Sequence, residues 1–185
     1  MKPRIIGIVG PIRTGKSTAS AHFQKKHGYV IASNSEILKR ICAGLVMPAN
    51  RDNLKLVGDA IFEVLGNETI ARFRVAELGS KNIVVDGIRY LEEVDFYRKN
   101  ADFRLLALSS SADTRFERTM ALTQHGKDSE MGRREFALLD AARSEAQVPL
   151  IAELADCVIK NDGAMDQFEA DLDRILANWT SHRNS

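Results

Sequence analysis

Five short apolar runs divide the chain, and the segments between them have helical spacing. The runs cover residues 5–9, 29–32, 83–85, 104–108 and 157–159. Apolar runs of this length, bounded by polar or glycine-containing segments, are typical of buried strands. We therefore predict a sheet of five strands.

Apolar side chains at intervals of three and four residues indicate helices between the runs. One set is Leu54, Val57, Ile61 and Leu65, and another is Met165, Phe168, Leu172, Ile175 and Trp179. This spacing places each set on one face of a helix. Strands that alternate with one-faced helices predict an α/β fold, in which a five-stranded parallel sheet lies between two helical layers and binds ligands at the carboxyl ends of its strands.

The composition favours a single globular domain without a polymer partner. The chain has 185 residues, 44% hydrophobic and 28% charged, which fits one domain over residues 1–180 and a tail at 181–185. Lys and Arg total 26 against 25 Asp and Glu, so a net charge of +1 leaves no broad basic field for nucleic acid. Cys42 and Cys157 form no Cys-x-x-Cys pair, and the sequence shows no signal peptide or membrane span. We expect a cytoplasmic protein with no membrane partner.

The sequence GPIRTGKS at residues 10–17 fits the pattern Gly-x-x-x-x-Gly-Lys-Ser between the first strand and a helix. Backbone N–H groups of such a loop converge on phosphate oxygens, and the helix N-terminus adds a favourable dipole. The lysine reaches the terminal phosphates and the serine can ligate magnesium. The pattern predicts an ATP site with Mg²⁺, and the alternative is a simple strand-to-helix turn. The predicted contacts are Gly10, Thr14, Gly15, Lys16, Ser17 and Thr18.

A triphosphate site does not select one activity, because kinases, GTPases, helicases and regulatory switches share it. A GTPase would carry Asn-Lys-x-Asp after a later strand, and IKND at residues 159–162 lacks that order. A motor ATPase would usually have a larger chain. The small size therefore favours a kinase.

The sequence IVVDGIRY, residues 83–90, supplies an acid and an arginine at the end of a predicted strand. Asp86 would lie near the phosphates and orient a magnesium-bound water. Arg89 could hold an incoming phosphate through a charge-assisted pair of hydrogen bonds. In the alternative interpretation, Asp86 caps the following helix and Arg89 is solvated.

Four arginines flank a polar segment in the second half of the chain. Arg115 and Arg118 fall on neighbouring positions of one predicted helix, and Arg133 and Arg134 begin the next. Phosphoryl transfer needs positioned positive charge and exclusion of water, which a small lid at about residues 119–135 would provide. We predict catalytic roles for Arg118 and Arg133, whereas solvated positions on helix surfaces are favoured for the other two.

With these residues the chain resembles the small-molecule kinases of the P-loop class, especially nucleoside monophosphate kinases and dephospho-CoA kinase. Arg13 resembles an arginine in the phosphate loop of phage-type deoxynucleoside monophosphate kinases, where many other kinases have glycine, and this implies a further ATP contact. ASNSEILKR is similar to the stretch of adenylate kinases that borders the monophosphate, which implies substrate contacts at Ser33, Glu36 and Lys39. DGIR is similar to their Asp-Gly-Phe-Pro-Arg, which implies that Arg89 grips the acceptor phosphate.

The C-terminal half is more similar to dephospho-CoA kinase, through the sequences RFERTMAL and AELADCVIKNDG. The resemblance implies that Arg118 is a lid arginine in contact with ATP, and that Asn161 and Gly163 border the adenine. A turn that caps the last helix is an equal alternative for Asn161 and Gly163.

The acceptor side departs from dephospho-CoA kinase, which carries Asp-Ala-Asp where this chain has Ser-Asn-Ser at residues 33–35. A monophosphate is already an anionic nucleophile and needs no such base. We therefore predict an ATP- and Mg²⁺-dependent kinase for a nucleoside or deoxynucleoside monophosphate. Arg51 is a candidate for a further phosphate contact, although an exposed helix start is the favoured interpretation of that residue. The expected catalytic residues are Lys16, Asp86, Arg118 and Arg133. The alternatives are a dephospho-CoA kinase and, in another class, a non-catalytic ATP-binding switch.

Overall fold

The computed structural model describes residues 4–79, 81–123, 136 and 146–181. Strands and helices alternate along these residues, as the apolar pattern predicts. In chain order the elements are β1 Arg4–Val9, α1 Lys16–His27, β2 Val30–Ser33, α2 Asn34–Gly44, α3 Arg51–Leu65, α4 Thr69–Leu78, β3 Ile83–Asp86, α5 Leu91–Asn100, β4 Asp102–Ser109, α6 Ala112–Thr123, α7 Val148–Glu153, β5 Cys157–Lys160 and α8 Met165–Ser181.

The five strands form one parallel sheet in the order β2-β3-β1-β4-β5. In the central strand β1, Ile8 pairs with Asp86 of β3 on one side and with Leu106 of β4 on the other. The chain moves from β1 to β2 on one side of the sheet and from β3 to β4 across to the other. Open parallel sheets bind ligands at the carboxyl ends of strands where the order reverses in this way. The predicted α/β fold is confirmed, and the reversal lies at the end of β1.

Apolar side chains on the two faces of the sheet form separate cores beneath the helices. On one face, Val9 belongs to a cluster with Tyr97 of α5. On the other, Ile8 belongs to a cluster with Phe23 of α1 and Leu172 of α8. Successive residues of a strand point to opposite faces, so β1 contributes to both cores. These two cores hold the sheet between its helical layers.

Two of the predicted helix faces are less buried than their spacing implies. Leu65 in the last turn of α3 is 59% exposed, and Met165 in the first turn of α8 is 55% exposed. In α3, which packs against α2 and α4, the buried residues are Val57 and Gly58. The spacing therefore identifies the helices correctly but extends their buried faces into the terminal turns.

The predicted lid overlaps the end of a helix. Residues 119–123 belong to α6, whereas 124–135 lie outside the described residues. The predicted tail also falls largely outside them, because the description ends with Ser181 in α8. The single domain over residues 1–180 stays a prediction. Among the helices of the described ranges, none is long and apolar enough to cross a membrane.

Candidate functional site

The loop between β1 and α1 is shaped by two close approaches that need glycine. At Gly15 the backbone has a left-handed φ of 98°, and a Cβ there would lie 2.6 Å from the Nδ2 atom of Asn161. At Gly10 a Cβ would overlap the carbonyl oxygen of Leu108 in β4. The loop therefore lies directly against the chain at the ends of β4 and β5. Arg13 also has a left-handed φ, 66°, a conformation that glycine adopts more readily.

Lys16 begins α1, and its ammonium group lies against the loop. Its Nζ atom donates to the carbonyl oxygens of Gly10, at 2.6 Å, and Pro11, at 2.8 Å. Thr14 is buried, and its hydroxyl donates to the same Pro11 oxygen at 2.9 Å. A triphosphate in the loop would compete with these carbonyl oxygens for the ammonium group. The positive charge is thus already positioned beside the backbone that would surround the phosphates.

Ser17 and Asp86 meet where α1 begins and β3 ends. Asp86 lies next to Ile8 of β1, and its Oδ2 atom accepts a hydrogen bond of 2.9 Å from the Ser17 hydroxyl. Hydroxyl and carboxylate oxygens are ligands that Mg²⁺ prefers, so this pair could hold the ion. The helix-capping role considered for Asp86 belongs to another acid, because Glu93 accepts hydrogen bonds from the N–H groups before α5.

Glu93 is a fully buried carboxylate that organises the segment between β3 and α5. Its Oε2 atom accepts from the main-chain N–H groups of Arg89, at 3.0 Å, and Tyr90, at 3.1 Å. Its Oε1 atom accepts from the Nδ2 atom of Asn34 at 3.1 Å. Burial raises the pKa of Glu93, while these three donors oppose the rise by favouring the charged form. The backbone that carries the Arg89 side chain is therefore held from inside the protein.

Arg118 of α6 joins the loop to the turn after β5. Its guanidinium group donates to the carbonyl oxygen of Arg13 at 3.2 Å and to that of Asn161 at 2.8 Å. Asn161 is buried, and its Nδ2 atom donates to the carbonyl oxygen of Thr14 at 2.9 Å. Arg118 from α6 and Asn161 from the turn after β5 thus support the loop. Arg118 and Gly163 also line the cavity beside the loop.

A cavity of about 1010 Å³ extends from the loop towards α2 and α3. Near the loop it is lined by Arg13, Gly15, Lys16, Ser17, Thr18, Asp86, Arg118, Asn161 and Gly163. Farther away it is lined by Ser33, Asn34, Leu38, Arg51, Leu54, Phe62, Arg89 and Tyr90. The rings of Phe62 and Tyr90 have centroids 4.9 Å apart. Most of the predicted contacts therefore share one cavity, which has a loop end and an aromatic end, the latter also lined by Asp52, Lys55 and Asp59.

Four predicted contacts are not on the wall of this cavity. Gly10 packs against β4 and Thr14 is buried, whereas Glu36 and Lys39 are exposed side chains of α2. Leu38 is the neighbour that lines the cavity. Glu36 and Lys39 thus lie on the outer side of α2, and their predicted contacts with substrate stay predictions.

The remaining predicted arginines differ in their surroundings. Arg115, for which a solvated position was favoured, is only 7% exposed, so that expectation is wrong. Its guanidinium group lies 5.4 Å from the centre of the Phe136 ring and donates to the carbonyl oxygen of Ile12 at 3.4 Å. Arg133 and Arg134 lie outside the described residues, so their roles stay predictions.

Comparison with known proteins identifies the family of the chain. The AAA domain family matches residues 6–140. A UPF0200 protein of Methanocaldococcus jannaschii is 31% identical over 178 residues, which cover 93% of this chain and 88% of the relative. This chain is an AAA-domain protein of the UPF0200 family.

The UPF0200 protein also has the fold of known kinases. Shikimate kinase from Acinetobacter baumannii, solved in complex with shikimate, matches 100% of this chain and 97% of its own with a TM-score of 0.59 and 16% identity. The APS kinase CysC of Mycobacterium tuberculosis, in complex with AMPPNP and APS, matches 95% of this chain and 98% of its own with a TM-score of 0.54 and 13% identity. At these identities the likeness shows the fold alone. The predicted resemblance to small-molecule kinases of the P-loop class is confirmed at that level.

Two charged residues of the UPF0200 protein support the site without having been predicted. Glu93 stands three residues after Tyr90, the N-cap of α5, which is the spacing of a capping box and is visible in the sequence. Arg74 of α4 is buried, and its guanidinium group donates to the carbonyl oxygen of Ser33 at the end of β2. Its position four residues after the buried Ile70 could have indicated an inward-facing arginine.

Proposed function

We propose that this UPF0200 protein transfers the γ-phosphoryl group of ATP to a nucleoside or deoxynucleoside monophosphate. The observation that carries the proposal is the position of Arg89 in the shared cavity. A Cβ placed on Gly87 would lie 3.9 Å from both the Lys16 Cε atom and the Arg89 Nη2 atom, so both cationic side chains lie beside that turn. Arg89 is next in sequence to Tyr90, whose ring belongs to the aromatic end. A phosphate on Arg89 would therefore be close to both the loop and an aromatic wall.

The donor end has the groups that a nucleoside triphosphate requires. Lys16 and the loop N–H groups would neutralise phosphate oxygens. Ser17 and Asp86 would hold Mg²⁺, which supplies charge neutralisation on the β and γ phosphates when bound. The cavity volume of about 1010 Å³ lies at the upper end of the range of about 300–1,000 Å³ for small-molecule sites. That volume favours a second ligand beside the triphosphate.

The acceptor end combines two arginines with flat apolar surface, and its wall also carries Asp52 and the Lys55–Asp59 ion pair. Arg51 and Arg89 would bind the monophosphate, because two of its anionic oxygens can accept the paired N–H donors of a planar guanidinium group. Phe62 and Tyr90, with Leu54 nearby on the cavity wall, would contact the base. A cavity that combines aromatic and phosphate-binding groups can recognise both the base and the phosphate of a nucleotide. A small polar acceptor would contact only the arginines.

The residues near β2 favour a monophosphate over an acceptor hydroxyl. Ser33 and Ser35 are hydrogen-bonded to each other through their hydroxyl oxygens at 2.8 Å, where dephospho-CoA kinases carry acids. A hydroxyl acceptor would need a base to remove its proton, but a phosphate oxygen is already anionic. Arg118, which bridges the loop and the turn after β5, would add positive charge near the transferring group, and Arg133 stays a predicted partner in this role.

The test is release of ADP from Mg-ATP with each ribo- and deoxyribonucleoside monophosphate, and with dephospho-CoA, added singly. We expect turnover to rise sharply with a monophosphate. In Arg89→Ala the half-saturating acceptor concentration should rise by about 10- to 100-fold, since a hydrogen bond to a charged group contributes about 1.5–3 kcal/mol. The control is Arg72→Ala, which removes a guanidinium from an exposed ion pair with Glu68 and should leave turnover unchanged. Turnover with dephospho-CoA alone would refute the proposed acceptor, and ATP binding without turnover on the whole panel would favour a switch.

A further inference from the structure

A cluster of two histidines and an aspartate joins α1 to α8, which pack on the same face of the sheet. The Nε2 atoms of His22 and His27 each lie 2.8 Å from the Oδ1 atom of Asp173. Lys26 approaches the other carboxylate oxygen, Oδ2, at 2.6 Å. One carboxylate oxygen is therefore shared by two imidazoles, while the second is neutralised by an ammonium group.

The three ligand atoms have the spacing of a metal site. They all lie within 4.8 Å of one another. Two ligands of a tetrahedral Zn²⁺ ion, each about 2.0–2.1 Å from it, are about 3.3–3.4 Å apart, so a shift of about 0.5 Å from the observed 2.8 Å separation of each Nε2 from Oδ1 would admit the ion. We propose that His22, His27 and Asp173 bind a divalent transition metal of the Zn²⁺ type. Two imidazoles and a carboxylate suit Zn²⁺ better than Mg²⁺, which prefers oxygen ligands throughout.

The surroundings of His22 also resemble those of a metal-bound histidine. Its side chain is only 6% exposed, and its other ring nitrogen, Nδ1, faces the Oε1 atom of Glu169 at 3.8 Å. Histidines that bind metals commonly have a carboxylate at the second nitrogen, where it sets the tautomer and the ring orientation. Solvent reaches the cluster through His27 and Asp173, whose side chains are 26% and 28% exposed. The site thus has a buried ligand, a carboxylate 3.8 Å from the second nitrogen of its ring, and an open side.

Lys26 determines which oxygen of Asp173 is available as a ligand. Its ammonium group donates to Oδ2 at 2.6 Å, whereas both imidazoles lie at Oδ1. Because Lys26 contacts only Oδ2 in this arrangement, Oδ1 is the oxygen that would meet the ion. The nearby ammonium charge should weaken binding, so its removal should strengthen it.

A metal at this position would act on stability rather than on phosphoryl transfer. His22 and His27 lie in α1, which begins with Lys16 at the loop, and Asp173 lies in α8. The ion would therefore link the helix that follows the loop to the C-terminal helix. Since the metal binds the folded arrangement, it should raise the melting temperature, and above Kd the rise should grow with the logarithm of the free metal concentration.

The experiment is a titration of chelator-treated full-length protein with Zn²⁺, followed by competition with a chromophoric chelator and by thermal unfolding. We expect a Zn²⁺ site that Mg²⁺ does not fill, and a rise in melting temperature of about 5–10 °C at a Zn²⁺ concentration about 100 times Kd. His27→Ala should weaken binding at least about tenfold, as loss of one ligand does. Lys26→Met should bind Zn²⁺ more tightly than the wild type.

Two controls separate this site from other zinc ligands. Cys157→Ser removes a half-buried thiol and should leave Zn²⁺ affinity unchanged. Asp171→Asn changes a carboxylate of α8 that pairs with Arg174, and it should also leave the Zn²⁺ affinity unchanged. Asp173→Asn, in contrast, should abolish Zn²⁺ binding. If Asp173→Asn does not fold, His27→Ala and Lys26→Met still decide the question. Equal affinity in the wild type and His27→Ala, no stabilisation by Zn²⁺ beyond that by Mg²⁺, or loss of binding in Cys157→Ser would overturn the proposal.

Discussion

The buried carboxylate of Glu93 provides the sharpest structural prediction. Glu93→Ala would leave three donors, the N–H groups of Arg89 and Tyr90 and the amide of Asn34, without their acceptor. Each unsatisfied buried donor costs about 1–3 kcal/mol. Removal of the buried carboxylate offsets part of the combined cost of the three donors. We expect Glu93→Ala to lower the free energy of unfolding by about 3 kcal/mol or more.

Glu93→Gln should be much milder, because the surrounding groups can accommodate an amide. Its carbonyl oxygen could accept from the two main-chain N–H groups in place of Oε2. Its NH₂ group would then face Asn34, whose Oδ1 atom is buried and has no hydrogen-bond partner among the described residues. A flip of the Asn34 amide would turn its Oδ1 atom towards that NH₂ group as an acceptor. We therefore expect the free energy of unfolding to fall by no more than about 1 kcal/mol.

The pH dependence of stability gives a second readout of Glu93. Because burial raises its pKa in the folded state, the folded protein keeps the proton at pH values where the unfolded chain has lost it. Stability contributed by this group is therefore present below about pH 4.3, the usual pKa of Glu, and falls as the pH rises from there through the raised pKa. Glu93→Gln should remove that part of the pH dependence.

Urea unfolding, monitored by circular dichroism at several pH values, measures these effects. The matched control is Glu92→Ala, an exposed neighbour that accepts from Asn67 and should change stability by less than about 0.5 kcal/mol. The reasoning would be refuted if Glu93→Ala stayed within about 1 kcal/mol of the wild type, or if Glu93→Gln lost as much stability as Glu93→Ala.

Three further substitutions test the donor end. Lys16→Ala should lower turnover by about a thousandfold or more, because it removes charge from the transferring phosphoryl group, and steady-state kinetics on the folded variant would measure this. Gly15→Ala should weaken ATP binding in a calorimetric titration, since its Cβ would lie 2.6 Å from Asn161 Nδ2 at a left-handed φ; unchanged affinity would show that the loop can relax. Asp86→Asn should raise the Mg²⁺ concentration needed for half-maximal turnover, and an unchanged requirement would assign the ion to other groups.

The sheet of this protein could be predicted because its strands are buried on both faces. Such strands are continuous apolar runs, and each of the five runs lies within an observed strand or overlaps it by all but one residue. The phosphate loop could also be predicted, since Gly10 and Gly15 have positive φ values that glycine adopts readily. Local backbone geometry and burial leave a direct signal in the order of residues.

Other parts of the site depend on how helices pack, which residue spacing alone does not determine. In α2, Leu38 faces the cavity while Glu36 and Lys39 are exposed, because contact with α3 sets the rotation of the helix. Arg74 likewise donates to a backbone group far away in the sequence, and Glu93, whose capping position is visible in the sequence, acquires its contact with Asn34 only from tertiary packing. A sequence motif can therefore predict the phosphate loop correctly without predicting which neighbouring side chains face the cavity.

Transfer of an isotopically labelled γ-phosphoryl group tests the proposed activity most directly. ATP labelled with ¹⁸O in its γ-phosphoryl oxygens would be incubated with Mg²⁺, the enzyme and the acceptor panel, and the products weighed by mass spectrometry, with Lys16→Ala as the control. The account predicts a labelled nucleoside diphosphate from a monophosphate, absent in Lys16→Ala. Labelled free phosphate with no labelled diphosphate, or label on dephospho-CoA alone, would contradict it.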